Sequence, residues 1–156
     1  MLVVSDTSPI SSLIQINRIE ILRDLFGTVC IPPAVRDELI RFHPAVPAFV
    51  EVRAILDQSK VECLRAMLHQ GEAEAIALAC ECHADYLLID ERRGRLIAAE
   101  QAVPTIGLLG VLLFAKQRSL VASVKECLLD LRGKAGFYIS DALMQRILDA
   151  AQELTH

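Results

Sequence analysis

The sequence predicts an α/β fold with three layers, α/β/α, in which helices flank both faces of a mostly parallel central sheet. Short runs rich in Val, Ile and Leu alternate along the chain with longer segments of helical periodicity. Strands that alternate with helices form parallel sheets, because each helix crosses one face of the sheet to reach the next strand. The chain has 156 residues, of which 53% are hydrophobic, so we expect a single domain, residues 1–156, with a sizeable core.

Four segments are predicted to be strands, and a fifth is a weaker candidate. The four are Leu2–Ser5, Thr28–Ile31, Tyr86–Ile89 and a short one near Pro104–Ile106, and the weaker candidate is Phe49–Ile55. Helices are expected in the gaps, among them the segments Pro33–Arg41, Gly71–Cys82 and Arg92–Gln101.

Two serines predict where the last two helices begin. Ser123 and Glu126 form a capping-box pattern, in which a serine and the glutamate three residues later bind each other's backbone N–H groups. Ser140 is the expected cap of the terminal helix, whose apolar residues are Leu143, Ile147 and Leu154.

Two aspartates directly follow predicted strands. Asp6 comes at the carboxyl end of Leu2–Ser5, and Asp90 comes at the carboxyl end of Tyr86–Ile89. In open α/β sheets the carboxyl ends of the strands form the ligand-binding crevice, so the two aspartates can face one another if their strands are neighbours. The alternative for Asp6 is a capping role alone, because small hydroxyl residues and a proline follow it and indicate the start of a helix.

Helical geometry, at about 100° per residue, distinguishes two glutamates from their acidic neighbours. Glu38 lies at the edge of the apolar side of its helix, whereas Asp37 points roughly opposite to that side. Glu72 shares a side with the apolar residues of its helix, whereas Glu74 lies within about 20° of Glu81 and is expected to face water. The alternative for Glu72 is a first-turn glutamate that the helix dipole favours.

These acidic residues belong to four segments that together carry a family resemblance. In sequence they read Val3-Val4-Ser5-Asp6-Thr7-Ser8, Ile31-Pro32-Pro33-Ala34-Val35-Arg36-Asp37-Glu38-Leu39, Gly71-Glu72-Ala73-Glu74-Ala75-Ile76-Ala77-Leu78-Ala79 and Leu87-Leu88-Ile89-Asp90. In this order they resemble the PIN-domain family, metal-dependent ribonucleases that include many bacterial and archaeal toxins. The resemblance covers nearly the whole chain. It is closest to a prokaryotic PIN-like branch with a Gly-Glu-Ala-Glu-Ala-Ile stretch and an Asp-Glu-Arg-Arg-Gly-Arg-type segment.

The resemblance implies a site for Mg²⁺ or Mn²⁺ made of Asp6, Glu38, Glu72 and Asp90. Asp6, Glu38 and Asp90 match acidic metal-site positions of the family. Glu72 occupies a position where many members have aspartate, and its additional methylene moves the carboxylate outward. Glu91 directly follows Asp90 and either can serve, but we prefer Asp90 because it continues the strand.

By the same resemblance we expect a Mg²⁺- or Mn²⁺-dependent endoribonuclease that hydrolyses RNA phosphodiester bonds. It is a possible toxin of a toxin–antitoxin pair, with an antitoxin partner, and a homodimer is expected. One alternative is a catalytically weak or inactive PIN-like module that binds nucleic acid or a partner. It stays open because Glu72 stands where many members of the family have aspartate. The other is a phosphotransfer enzyme with a nucleophilic aspartate at Asp6. Such enzymes usually carry a second aspartate two residues later, where this chain has Ser8.

Hydroxyl and basic residues beside the acidic positions are expected to contact substrate. Thr7 and Ser8 are predicted to orient the metal ligands or to touch phosphate. Arg93 and Arg95 lie close to Asp90 in the chain and can hold a flanking phosphate; a solvated helix face is the alternative. Because the net charge is −4, a bound cation is expected to supply part of the positive charge that RNA binding requires.

Other classes of protein lack their sequence signals here. No apolar stretch approaches the roughly 20 residues of a membrane span, and the start lacks the positive segment of a signal peptide, so a cytoplasmic location is expected. The five cysteines are odd in number and lack zinc-site spacing, so reduced thiols are expected. Zn-peptidase histidine spacing, a Gly-x-Ser-x-Gly elbow and a phosphate-cradling Gly-rich loop are all missing.

Overall fold

A computed structural model of the protein describes residues 1–153. Leu154, which was predicted as part of the terminal helix, lies outside the described residues. The strands of the described part are β1 (Val3–Ser5), β2 (Val29–Ile31), β3 (Val50–Val52), β4 (Tyr86–Leu88) and β5 (Thr105–Ile106). Its helices are α1 (Thr7–Gln15), α2 (Glu20–Phe26), α3 (Pro33–Phe42), α4 (Gln58–Arg65), α5 (Gln70–Cys82), α6 (Arg92–Glu100), α7 (Leu108–Gln117), α8 (Val124–Lys134) and α9 (Asp141–Ala150).

The strands form one parallel sheet in the order β3-β2-β1-β4-β5. The central strand is β1, in which Val3 lies opposite Val29 of β2 on one side and Tyr86 of β4 on the other. The weaker strand candidate, Phe49–Ile55, contains β3 at one edge of the sheet. The predicted three-layer α/β/α architecture is confirmed.

Two apolar cores lie on opposite faces of the sheet. Successive residues of a strand point to opposite faces, so Val3 belongs to one core and Val4 to the other. Helices α1, α2, α7, α8 and α9 contribute to the core around Val3, and α4, α5 and α6 contribute to the core around Val4. Helix α3 places Val35 and Leu39 in the first core and also packs against α5. Helices therefore cover both faces, as a parallel sheet requires.

The strand order reverses beside β1, and this position defines the crevice of the fold. In a doubly wound sheet the ligand-binding crevice lies outside the carboxyl ends of the strands at such a switch point. Here the ends of β1 and β4 meet, because Ser5 pairs with Leu88 and the N–H of Asp6 donates to the carbonyl of Leu88 at 2.9 Å. The strands that precede the two aspartates are thus neighbours, as the prediction required.

Both predicted serine caps are confirmed. The hydroxyl of Ser123 accepts a hydrogen bond from the N–H of Glu126 at 3.2 Å, at the start of α8. The hydroxyl of Ser140 accepts one from the N–H of Leu143 at 3.1 Å, at the start of α9. These caps satisfy backbone donors that a helix leaves without intrahelical partners.

The five cysteines are free thiols, of which Cys30 and Cys127 are buried and Cys63 is exposed. No helix within residues 1–153 is long and apolar enough to cross a bilayer.

Candidate acidic metal site

Four carboxylates line one cavity at the carboxyl end of the sheet. The cavity has a volume of about 350 Å³. Its acidic residues are Asp6 after β1, Glu38 on α3, Glu72 on α5 and Glu91 before α6. Thr7, Ser8 and His69 complete the lining. The structure therefore brings together three of the four predicted metal ligands, and the fourth acidic wall residue is Glu91.

Asp6 is the most buried of these carboxylates, with a relative exposure of 7%. The pKa of Asp6 is raised to about 6, chiefly by burial and also by the charges of Glu38, Asp90 and Glu91, while a hydrogen bond from the Thr7 backbone acts in the opposite direction. Asp6 occupies the N-cap position of α1, but its side chain makes no capping hydrogen bond. The capping role that was its alternative therefore does not explain this aspartate.

Glu38 is positioned by a hydroxyl and by a glycine. The hydroxyl of Thr7 donates a hydrogen bond to Oε2 of Glu38 at 2.6 Å, and this contact orients the Glu38 carboxylate. Across the cavity wall, a Cβ atom at Gly71 would lie only 2.6 Å from Oε1 of Glu38. The missing side chain at Gly71 thus leaves the space that the Glu38 carboxylate occupies. Asp37, the neighbour predicted to face water, is exposed and pairs with Arg36 at 3.0 Å.

Glu72 and Glu91 form a hydrogen-bonded pair of carboxyl groups. Burial, the contact with Glu91 and the charge of Asp6 raise the pKa of Glu72 to about 7. The same contact lowers the pKa of the more exposed Glu91, whose carboxylate also accepts hydrogen bonds from the N–H groups of Arg93 at 3.2 Å and Gly94 at 2.9 Å. The contact therefore favours the protonated form of Glu72 and the ionised form of Glu91.

Asp90 lies next to this cavity and lines a neighbouring one. Its Oδ1 accepts a hydrogen bond from the N–H of Leu108 at 2.8 Å, at the start of α7. Its Oδ2 is buried and, among the buried side-chain oxygen and nitrogen atoms of residues 1–153, is the one that lacks a hydrogen-bond partner. Burial raises the pKa of Asp90, while the Leu108 N–H and the charge of Arg95 act in the opposite direction. Strand β4 ends at Leu88, and of the two acidic residues that follow Ile89 it is Glu91 that lines the shared cavity.

The prediction that Glu74 faces water is wrong. Its Oε1 accepts a hydrogen bond from the N–H of Ala34 at 3.1 Å, and its Oε2 accepts one from the side chain of Gln70. Ala34 lies in the first turn of α3, whose backbone donors need partners. Glu81, which lies on the same face of α5 as Glu74, likewise accepts hydrogen bonds from the N–H groups of Leu56 and Asp57. This side of α5 faces neighbouring backbone because α5 packs between α3 and α4.

Basic residues line two cavities next to the acidic one. Arg65 and Arg93 line a cavity of about 500 Å³ that shares His69, Glu72 and Glu91 with the acidic cavity. Arg95 lines the cavity that contains Asp90. Sequence reasoning missed Arg65 and His69. Neither has a motif, and only the packing of α4 against α5 brings Arg65 and the acidic residues together.

The donor set suits a hard divalent cation, because Mg²⁺ and Mn²⁺ prefer carboxylate oxygens. The carboxyl groups of Glu72 and Glu91 are in contact, and a bound cation would offset the repulsion between their charged forms. Among residues 1–153, no three Asp, Glu, His or Cys side chains already have the mutual spacing of a bound metal. The site therefore suits a metal by its chemistry, four carboxylates around one cavity, and not by a preformed spacing of ligands.

Comparison with known proteins identifies the family of the chain. The model of one family, DUF3368, a PIN domain, matches residues 2–153. No curated protein and no solved structure matches the chain. PIN domains are generally nucleases and usually use divalent metals, so the fold is of a nuclease type. Since the family model covers nearly the entire sequence, the chain belongs to the PIN-domain family.

Proposed function

We propose that this protein is a Mg²⁺- or Mn²⁺-dependent endoribonuclease that hydrolyses RNA phosphodiester bonds. The observation that supports it best is the single cavity lined by Asp6, Glu38, Glu72 and Glu91. Placing four carboxylates around one cavity costs free energy unless a cation or protons neutralise them. A crevice that concentrates negative charge at a sheet switch point is suited to binding a divalent cation rather than to binding RNA phosphate directly.

The four cavity carboxylates would hold the metal, and Asp90 remains a predicted ligand from the neighbouring cavity. When bound, the cation supplies the charge that neutralises the scissile phosphate and lowers the pKa of a water. Thr7 keeps the Glu38 carboxylate aimed at the cavity through its 2.6 Å hydrogen bond. Ser8, which is exposed on the cavity wall, is in place to donate to a phosphate oxygen.

Arginine placement explains how an acidic protein binds RNA. The net charge of the chain is −4, but Arg65 and Arg93 both line the cavity that adjoins the acidic one. Their guanidinium groups can form paired hydrogen bonds to a phosphate that flanks the scissile one. RNA affinity should therefore depend on this local pair of cations and fall with added salt.

The test is cleavage of a labelled single-stranded RNA with Mn²⁺, Mg²⁺ or EDTA, together with calorimetric titration of Mn²⁺. We expect Asp6→Asn to abolish metal-dependent cleavage in a folded protein. Glu38→Gln is expected to weaken Mn²⁺ binding at least about tenfold, which corresponds to about 1.4 kcal/mol. Asp37→Asn is the matched control, because it removes an exposed carboxylate from the same helix.

The outcomes separate an enzyme from a binding module. A folded Asp6→Asn protein with full activity would exclude this site. Wild-type protein that binds RNA but neither binds Mn²⁺ nor cleaves would support the alternative, an inactive PIN-like module.

The toxin role is a finer proposal that rests on the family. Induced expression in bacteria should arrest growth with the wild-type chain and not with Asp6→Asn. Normal growth with a soluble, cleavage-active wild-type chain would rule out the toxin role and leave the nuclease proposal intact.

A further inference from the structure

The cavity lined by Asp90 and Arg95 lies next to the acidic one. Its volume is about 380 Å³, within the range of small-ligand sites. Asp90 lines this cavity, and the next residue, Glu91, lines the acidic cavity. A strand of RNA whose scissile phosphate lies at the carboxylates would therefore reach this cavity with an adjacent nucleotide.

Tyr138 gives this cavity an aromatic wall that the fold does not use for its own packing. Its relative exposure is 86%, although it lies between α8 and α9 beside Phe137, which packs against the core. Both rings line the cavity. Exposed aromatic rings stack well with unpaired RNA bases, because every base presents a flat π-face.

Arg95 adds positive charge to the same cavity. Gly107 permits its approach, because a Cβ atom at that position would lie 3.2 Å from Nη1 of Arg95 and 3.0 Å from Oδ1 of Asp90. An aromatic wall with a guanidinium group beside it matches a nucleotide, which presents a flat base and a phosphate. A purely apolar ligand would make no use of the guanidinium charge.

We propose that this cavity, the stacking pocket, binds the base of a nucleotide adjacent to the scissile phosphate, with Tyr138 stacked on that base and Arg95 on its phosphate. The inference rests on the proposed function and extends it to single-stranded RNA. A base in a duplex is already stacked and paired, so it cannot enter the pocket. The nuclease should accordingly prefer unpaired segments, and the identity of the base in the pocket should influence the cleavage position.

Tyrosine fluorescence reports directly on this contact. The chain has two tyrosines and no tryptophan, and the other tyrosine, Tyr86, begins β4 at the opposite end of the sheet. In a Tyr86→Phe protein the emission comes from Tyr138 alone. We would titrate this protein with oligouridine of about ten nucleotides in Ca²⁺, with electrophoresis to confirm that the RNA stays whole. The expected result is saturable quenching of the emission.

Cleavage kinetics in Mn²⁺ test the same contact in the unmodified chain. We expect Tyr138→Ala to raise KM for single-stranded RNA about tenfold, the scale of losing one base stack. Tyr138→Phe, which keeps the ring, should stay within about twofold of wild type. Leu56→Ala is the matched control, since Leu56 is 89% exposed and lines none of these cavities.

The two proposals fail in different ways. If wild-type protein cleaves RNA but Tyr138→Ala has an unchanged KM and the Tyr86→Phe protein shows no quenching, the stacking pocket is wrong and the nuclease proposal stands. If quenching occurs and Tyr138→Ala weakens RNA binding, but no cleavage occurs with any divalent metal, the pocket stands and the nuclease proposal fails.

Discussion

Asp6→Asn should stabilise the metal-free protein at the same time as it destroys the proposed metal site. The pKa of Asp6 is about 6 in the folded chain against an ordinary value of 3.8. A carboxyl group whose folded pKa is raised binds its proton more tightly in the folded state. It therefore costs nothing below about pH 4, and its cost grows as the pH rises to about 6. Above that pH, ionised Asp6 costs the fold up to about 3 kcal/mol.

The assay is urea unfolding of wild type and Asp6→Asn in EDTA at about pH 8, 5 and 4. Asparagine keeps nearly the same volume and removes the charge. Its expected gain is up to about 3 kcal/mol at the highest pH, about half of that at pH 5 and close to zero at pH 4. For a domain of this size, the full gain corresponds to a rise in Tm of roughly 6–12 °C.

Added Mn²⁺ should reverse the order of stability. A ligand that binds only the folded state stabilises it by mass action, so Mn²⁺ should raise the Tm of wild type and leave Asp6→Asn almost unchanged. If Asp6→Asn is equally or less stable than wild type in EDTA at pH 8, the Asp6 charge is already compensated within the fold. The argument that the cavity needs a cation would then be refuted.

Three further predictions concern the walls of the same cavity. Glu72→Gln should weaken Mn²⁺ binding at least about tenfold, whereas Glu74→Gln should leave calorimetric Mn²⁺ affinity nearly unchanged; equal losses would show that the wrong side of α5 faces the metal. Glu91→Gln should also lower Mn²⁺ affinity about tenfold. Asp90→Ala should instead lower the free energy of unfolding by about 1 kcal/mol, because the start of α7 loses the hydrogen bond from Leu108 to Asp90. A larger loss of Mn²⁺ affinity with Asp90→Ala than with Glu91→Gln would show that Asp90 is the ligand. Gly71→Ala should fold normally, as judged by circular dichroism, but its methyl group should displace the Glu38 carboxylate. We therefore expect Mn²⁺ affinity to fall about tenfold. Unchanged affinity would contradict the close packing of Gly71 against Glu38.

Strand-end residues were predictable from sequence because the periodicity of a short buried strand is local information. Val3–Ser5 and Tyr86–Leu88 both read as apolar runs, and the polar residues after them fall at the crevice by the rules of parallel sheets. The choice between Asp90 and Glu91 was harder. It depends on whether the strand ends one residue earlier or later, and boundaries of this kind are set by pairing with neighbouring strands.

Helix-face arguments worked for Glu38 and Asp37 and were wrong for Glu74. Periodicity tells which side of a helix is apolar, but it does not tell what lies beyond the polar side. At Glu74 that neighbour is the first turn of α3, which supplies a backbone N–H at 3.1 Å. Arg65 was missed for the same reason, since its position beside Glu72 comes from the packing of two helices.

Glu74 and Glu81, on the polar side of α5, have a consequence for local unfolding because both bind backbone at or just before the start of a neighbouring helix. Glu74 accepts a hydrogen bond from the start of α3, and Glu81 accepts two from the backbone just before α4. Helix α5 therefore links α3 and α4 through its side chains. Native-state hydrogen exchange should therefore show these helices opening as one cooperative unit. That unit carries Glu38 and Glu72, whereas Asp6 follows β1 and Glu91 lies directly before α6. Each opening event would therefore divide the acidic cavity into two halves. A bound cation bridging the halves would slow exchange across all three helices, far beyond the residues that it touches.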